Sequence, residues 1–471
     1  MSSDRHSLCR SALSALLLQV LILAACGSVP RVKLDLVRVI GEAVGEGAEV
    51  KVVAAGPDGG LIDEPDPAGD LLTLTDALRR DLATDPGLQA AMARVQIARA
   101  DADQARLLPN PVLNVVVRTG SGRPQVEASL AEDFLRAMQV RRRASAADHR
   151  LHKAVAEAVV VAIDAVSEVQ ERYLRAQAAA QVVPLLRERS AILEQLEAVA
   201  SSSLDAGEGT LSDLVTLQAQ RVGLAVELDQ AVLEARDERL HLARLIGEPS
   251  GDAAWKLDPW VAPGVAVESE SAWIGAALVH RPEIQVACWE LRALGDEGAL
   301  AGFFSWEGTS VGIDTQRDDG WSGGPSVSTP LPLFDVGQAA RVRATAEQME
   351  ARHELTLVRR RIVEEVRVAH QALVASNANL VRIRDDLIPL QRRRRALAEE
   401  AYRAGQSDVT GVFLAEHDLR VTQAKAIEVE HQAALALIRL QRAVGGPGAA
   451  AALLTASGTT NPESEFSGTA P

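Results

Sequence analysis

"PLPLFDVGQAARVRAT", residues 330–345, decides how the whole chain is read. Pro330 and Pro332 close an apolar–polar alternation, and Phe334 and Gly337 follow them. From there to Ala404 the chain has no glycine and a single proline, Pro389. Proline cannot donate to a sheet ladder, so a strand stops here. A helix over the following run would be on the order of 100 Å long at 1.5 Å per residue, several times the usual length. A compact domain cannot bury such a helix. Its apolar positions alternate four and three apart: Ile362, Val366, Ala369, Leu373, Ser376, Leu380, Ile383, Leu387, Leu390, Arg394, Leu397 and Ala401. That heptad seam predicts coiled-coil packing, with a kink at Pro389.

Before the junction the pattern has a period of two. Val126, Ala128 and Leu130 alternate with Glu127, Ser129 and Ala131; Val311, Ile313 and Thr315 alternate with Ser310, Gly312, Asp314 and Gln316; Val327, Thr329 and Leu331 alternate with Ser326, Ser328 and Pro330. Each is the signature of a half-buried strand. "RTGSGRP" and "QRDDGWSGGP" supply hairpin turns. Alternation alone does not separate a strand facing a soluble core from one facing lipid. Trp306, Trp321 and Phe334 favour lipid, because membrane barrels carry aromatic girdles at both interfaces. Two hairpins are too few to close a barrel, and an open edge in hydrocarbon leaves backbone groups unpaired, so the chain requires copies of itself.

The pattern is written twice, about 200 residues apart. "TDPGLQAAMARVQIARADADQA" (84–105) matches "HRPEIQVACWELRALGDEGALA" (280–301), and "VEASLAEDFLRAMQVRRRASAA" (126–147) matches "VSTPLPLFDVGQAARVRATAE" (327–347). "LDAGEGTLSDLVTLQAQ" (204–220) matches "YRAGQSDVTGVFLAEHD" (402–418), and the halves close at Gly247 and Gly445. The first half has its own seam: Val155, Val159, Ala162, Val166, Val169, Tyr173, Ala176, Ala180 and Val183. Each half reads helix, hairpin, very long helix, tight turn, long helix. The fold class is therefore mainly α with a small β part, an internally duplicated long-helix arrangement carrying two β-hairpins. The boundaries are a signal peptide over 1–25, an extended tether over 26–70, repeats over 71–247 and 271–446 with a linker over 248–270, and a disordered tail over 447–471.

Arg5 and Arg10 precede the apolar run "ALSALLLQVLILAAC", which is too short to span a bilayer and ends in small residues, as a secretory signal does. "LAAC" resembles the bacterial lipoprotein box, making Cys26 the lipidated first residue of the mature chain; the alternative is an ordinary signal peptide in which Cys26 is incidental. Of 3 cysteines only Cys288 lies in the body of the protein, so there is no disulfide framework, and Cys288 reads as a buried structural thiol. The formal net charge of −15 opposes binding to nucleic acid, which needs a basic face.

The duplication, "LPLFDVGQ" opening a helix, "RPEI" opening the helix before a hairpin, and the "YRAGQSD" turn ahead of "LAEHDL" together resemble the TolC-type outer-membrane efflux family. The likeness covers roughly residues 70–446, and the lipoprotein box places it nearest the lipoprotein subset. The resemblance implies a homotrimer whose twelve strands form a transmembrane β-barrel in outer-membrane lipid. Its long helices would form a periplasmic α-helical cylinder docking on a periplasmic adaptor and an inner-membrane pump. Pro330, Pro332, Phe334 and Gly337 then form the strand-to-helix junction, and Trp306, Trp321 and Phe334 the membrane-interface aromatics. The periplasmic tips fall at Gly207 and Gly405. Asp213 and Asp408 are gate residues or, equally, caps of the helices that follow. The first-half junction, "SLAEDFLRAMQVRRR", has neither Pro nor Gly, so its turn is expected to be gentler; Arg141, Arg142 and Arg143 below it are a solvated face or a polar ring.

The 9 histidines form no zinc-protease pairing, and no phosphate-binding glycine loop is present. The reading is non-enzymatic, with no cofactor beyond a covalent lipid at Cys26. The competing reading is a lipid-anchored periplasmic coiled-coil adaptor or scaffold without a pore, which would leave the aromatic-rich hairpin unexplained. The lipoprotein box carries a direct test: Cys26→Ser is expected to abolish incorporation of radiolabelled palmitate, and label retained on the variant removes the assignment.

Overall fold

The computed structural model describes residues 35–45, 69–119, 124–207, 210–259, 269–317, 320–407 and 409–458. Cys26, Asp408, the signal segment and most of the expected tether lie outside them. The elements, in chain order, are α1 (Leu36–Val44), β1 (Leu71–Leu72), α2 (Leu74–Thr84), α3 (Pro86–Ala105), β2 (Val112–Arg118), β3 (Gln125–Asp133), α4 (Phe134–Met138), α5 (Val140–Asp205) and α6 (Leu211–Leu245). The second half follows with β4 (Lys256–Leu257), α7 (Glu270–His280), α8 (Pro282–Ala301), a 3₁₀ turn (Phe304–Trp306), β5 (Ser310–Arg317), β6 (Trp321–Ser328) and α9 (Gln338–Val381). A π-helical turn (Arg382–Leu387), α10 (Ile388–Arg403), α11 (Val409–Val444) and α12 (Pro447–Gly458) complete it. The duplicated order is plain: α2, α3, β2, β3, α5, α6 against α7, α8, β5, β6, α9–α10, α11.

The chain forms two compact units, one of residues 93–157 and 283–358, the other of 35–92, 158–282 and 359 onward. The first holds the four-stranded sheet and the helix segments next to it. There, Trp289 of α8 stacks against His152 of α5 at 4.4 Å and His149 at 5.5 Å. Lys153–Glu290 (2.9 Å) and Arg150–Glu297 (2.7 Å) bind the same two helices. Burial holds His149 below the usual histidine range, with Asp296 opposing the shift and Arg292 and His152 adding to it.

In the second unit the seam of α5 is realised as a core. Val159, Ala162, Ile163 and Val166 pack with Ile40, Val44, Leu82, Leu88 and Met92. One turn further, Val169 and Tyr173 join Leu72, Leu242, Ile246 and Trp255. The Tyr173 hydroxyl donates to the Leu72 carbonyl (2.9 Å) and accepts from Asp258 N–H (3.1 Å), so this buried phenol is satisfied on both sides.

Three boundaries read from the sequence are corrected. The expected tether contains α1, because Asp35 caps Arg38 N–H and Ile40 and Val44 share one buried face. The expected linker contains β4, which pairs parallel with β1. The expected tail contains α12, whose "PGAAAALLTASG" places Pro at the first turn of an alanine-rich helix that packs on α1. Cys288 is only half-buried.

The seam of the second long helix changes midway. Ile362, Val366, Ala369 and Leu373 are buried as expected, but Leu387, Leu390 and Leu397 are exposed. In their place Ile388, Gln391 and Ala398 are half-buried, one position later. The π turn explains this. Pro389 cannot donate an N–H and crowds the preceding turn, and the helix answers by widening just before it, inserting one residue and rotating the face by about 100°. Pro184 sits inside α5 without interrupting it.

Asp81 on α2 is buried, and its Oδ2 has no hydrogen-bond partner within the protein. Burial first, then Asp85 and Glu168, push its pKa up to about 8, against the pull of Arg244. An acid that is harder to ionise folded than unfolded weakens the fold as pH climbs from about 4 to 8, by about 1.4 kcal/mol per unit. Asp81→Asn is therefore expected to melt close to the wild type near pH 4 and increasingly above it toward pH 8, as followed by circular dichroism. A gap that does not widen with pH contradicts this role.

Candidate functional site

The sheet runs β2-β3-β5-β6, antiparallel throughout, so β3 and β5 join the two repeats at its centre. Cross-strand partners in an antiparallel pair point to the same face. Following the register from Val115↔Ala128 through Ala128↔Thr315 to Thr315↔Gly323 places Leu113, Val115, Val117, Val126, Ala128, Leu130, Val311, Ile313, Pro325 and Val327 on one face. The other face carries Asn114, Arg118, Glu127, Ser129, Asp314, Gln316, Ser322 and Ser326. Arg118 forms a salt bridge with Glu127, and part of this polar face lines a hollow of about 550 Å³.

Neither face is covered among the described residues, and on the polar face Asn114, Arg118, Asp314, Gln316 and Ser322 are exposed as well. Leu113 is 67 % exposed and Val327 69 %, and Val115, Val117 and Leu130 are also exposed. A soluble sheet turns its apolar face to a core; this one turns it outward. Among the described residues the outer edges of β2 and β6 have no strand partner. At Gly312, in the centre, a Cβ would stand 2.3 Å from the Leu130 carbonyl oxygen, so no larger residue fits the β3–β5 pairing.

The aromatic residues divide between the ends of the sheet. Trp321 pairs with Arg317 at the hairpin end, with the guanidinium 5.7 Å from its ring centre. At the opposite end, where Asp133, Ser310 and Ser328 lie, are Trp306 and Phe334 and also Phe303, Phe304 and Phe134. Phe134 was not singled out from the sequence; its signal was "EDF", which matches "LFD" of the second repeat to within one residue. Phe334 is 95 % exposed.

The junction lies between β6 and α9. β6 ends at Ser328, earlier than the alternation suggested, and it begins at Trp321, inside the stretch assigned to the turn. Gly- and Pro-rich sequence is tolerated there because β6 is an edge strand. After Pro330 and Pro332, Asp335 accepts from Gly337 N–H (2.8 Å), and Gln338 Oε1 accepts from Val336 N–H (2.9 Å). Gly337 has φ +75°, and Arg341 returns to the Val336 and Gly337 carbonyls. An added Cβ would meet nothing closer than 3.8 Å, so conformation rather than space demands glycine here. In the first repeat Asp133 caps the one-turn α4, and the chain passes through Gln139 in helical conformation into α5.

At the opposite ends of the long helices, Gly207 has φ +76° and Gly405 +68°. Gln406 N–H reaches Ala401 O (2.9 Å), closing the helix in a left-handed cap. Asp213 is the third residue of α6. Among the described residues no helix is long and apolar enough to cross a membrane, and no group of three or more His, Cys, Asp or Glu could hold a metal ion.

Residues 273–446, the second repeat, match the family model described as "Outer membrane efflux protein". The outer membrane efflux protein BepC of Brucella suis biovar 1 (strain 1330) is 26% identical over 276 residues, covering 56% of this chain and 59% of BepC. The second repeat is thus similar in sequence to outer membrane efflux proteins. Solved structures extend the likeness over both repeats at the level of fold. VceC of Vibrio cholerae superposes with a TM-score of 0.68 at 18% identity, covering 79% of this chain and 96% of that one. The outer-membrane channel OprN gives 0.65 at 19% identity, covering 80% and 90%. This chain thus aligns with under two thirds of BepC, while the fold it shares with the solved structures spans most of both chains.

At Gly337, a β-branched side chain in the left-handed region costs about 1–3 kcal/mol. Gly337→Val is expected to lower the yield of folded, heat-modifiable protein in the membrane fraction, while Gly337→Asn, tolerated at positive φ, keeps most of it. Equal yields for the two variants would show that the bend does not need this conformation.

Proposed function

We propose that this chain is the outer-membrane channel of a tripartite efflux system, a passive, non-enzymatic conduit. Three copies contribute four strands each to a twelve-stranded barrel, and the long helices extend into the periplasm toward an adaptor and an inner-membrane pump. A lipid on Cys26 adds a second attachment to the membrane. The observation that carries this reading is the two-faced sheet. In lipid every backbone donor and acceptor needs a partner, so only a closed sheet survives, with apolar side chains outward and polar ones toward water. The open edges of β2 and β6, the uncovered apolar face and the polar face opposite it are what one third of such a barrel looks like in isolation. Seven to nine residues per strand lie at or just below the roughly 9–11 that a tilted spanning strand uses. A pore-less adaptor or scaffold offers nothing to cover the apolar face.

The two faces give a paired test. Val115→Arg points into the proposed lipid band, where a cation costs up to about 2–4 kcal/mol. It is expected to reduce the amount of assembled protein in the outer membrane severalfold. Asn114→Arg, the next residue along, points to the proposed lumen. It is expected to assemble normally and, in planar lipid bilayers, to shift the ion selectivity of the conductance steps toward anions. Equal tolerance of arginine at both positions, or an absence of conductance from well-assembled protein, would refute the channel.

A further inference from the structure

Three consecutive arginines follow the first strand-to-helix junction. Arg141, Arg142 and Arg143 stand in the first turn of α5, just beyond the one-turn α4, which carries Arg136. From Phe134 to Ala147 the chain holds these four arginines and no carboxylate. Arg136, Arg141 and Arg142 are exposed, and among the described residues no carboxylate pairs with Arg141 or Arg142. Arg143 is half-buried; burial and then the charge of Arg136 pull its pKa down, with Asp133 opposing. Like charges are crowded here without a matching set of counter-ions.

The second junction engages its own arginines. Arg341 donates to the Val336 and Gly337 carbonyls, and Arg343 pairs with Glu347 at 2.7 Å. The first junction is thus the one that presents open cationic groups.

The side chains that share a face with these arginines indicate what they meet. Gln139 is in helical conformation between α4 and α5, so helical spacing carries across the joint. Phe134, Met138 and Arg141 then stand at i, i+4 and i+7, along one helix face, and Arg142 flanks it. Phe134 is 42 % exposed and Met138 65 %, while Val140 and Ala144, on another face, are buried. Water alone, outside the protein or in a pore, gives no reason to set a phenylalanine and a methionine beside the cations. Moving away from the sheet the order is aromatic ring, thioether, guanidinium. A chain leaving hydrocarbon through the headgroup layer follows that order, with aromatic rings at the boundary and long cationic side chains reaching the phosphates. From Phe134 to Arg142 a helix rises about 12 Å, close to a headgroup layer of roughly 5–8 Å plus the reach of an arginine stem.

We infer that Arg141 and Arg142, with Phe134 and Met138 beside them, form a docking surface for the phosphates of anionic phospholipid on the periplasmic side of the membrane. Each guanidinium can hold a phosphate through two parallel N–H donors, and Arg136 and Arg143 add positive charge nearby. The inference rests on the outer-membrane channel reading, which puts this end of the sheet at the periplasmic interface.

The test uses the full chain in detergent, offered equal amounts of phosphatidylglycerol and phosphatidylcholine, with retained lipid counted by native mass spectrometry and conductance recorded in planar bilayers. The wild type is expected to retain phosphatidylglycerol in preference, and Arg141→Gln/Arg142→Gln to lower that preference by roughly tenfold or more. Arg141→Lys/Arg142→Lys is expected to keep most of it, and Arg343→Gln all of it. In wild-type membranes, photoactivatable phosphatidylglycerol is expected to label the peptide containing Met138; label confined to other peptides overturns the inference whether or not the variants fold. Conducting protein with no preference, or with the same preference in the wild type and the glutamine pair, overturns the docking surface and leaves the channel. A glutamine pair that changes ion selectivity but not lipid retention also overturns it and assigns these arginines to the pore. Displacement of the lipid by an equimolar amount of inorganic phosphate overturns it in favour of a free-anion site. Absence of both conductance and lipid preference overturns the channel and the docking surface together.

Discussion

The backbone hydrogen-bond requirement of the four strands governs the rest of the architecture. Four antiparallel strands leave two edges open, and among the described residues no further strand pairs with either. The apolar face is uncovered as well. A sheet in that condition is unstable as an isolated soluble object, and the barrel proposed above, closed with further strands in lipid, would satisfy both demands at once. The long helices follow from this constraint. Each leaves the sheet at a junction, and its fold depends on neighbouring helices supplying the apolar contacts that propensity alone cannot replace.

The two junctions solve one problem by different means. The second repeat uses Pro330, Pro332 and a positive φ at Gly337; the first uses an aspartate cap and a one-turn helix. A turn made by capping tolerates substitution at most positions, whereas a turn made by backbone conformation depends on one residue. The turns between the long helices both use glycine at positive φ, because a tight connection between two long helices leaves little alternative.

Much of this was legible in the amino-acid sequence, because the signals were periodic and repeated. Duplication, hairpins, long helices, the Gly337 bend and the Gly207 and Gly405 turns all rest on local chemistry that recurs. What was hidden depended on tertiary contact. The helix over Leu36–Val44 is too short to announce itself and forms against Leu82, Leu88 and Ile163. The limits of β6 were displaced because Gly323, Gly324 and Pro325 read as turn residues and are acceptable on an edge. The seam beyond Ile383 shifted by one position because a heptad count assumes an unbroken α-helix. Pro389 announced a disturbance, yet proline alone does not say whether a helix will bend or widen.

The central pair of the sheet, β3 with β5, joins segments far apart in the chain; the Thr315 hydroxyl that donates to the Ala128 carbonyl lies 187 residues beyond it. Closing so large a loop adds little to the equilibrium penalty, since each doubling of length costs only about 0.6 kcal/mol. The burden falls on folding rate and fidelity. Until β5 has been synthesised, the first hairpin exists with its inner edge bare, and β5 of a neighbouring copy offers that edge the same chemistry as the chain's own. Intramolecular and intermolecular pairing therefore compete, and crowding of newly made chains favours strand exchange. Faithful assembly of this protein depends on keeping each chain apart from its siblings until its second hairpin has arrived.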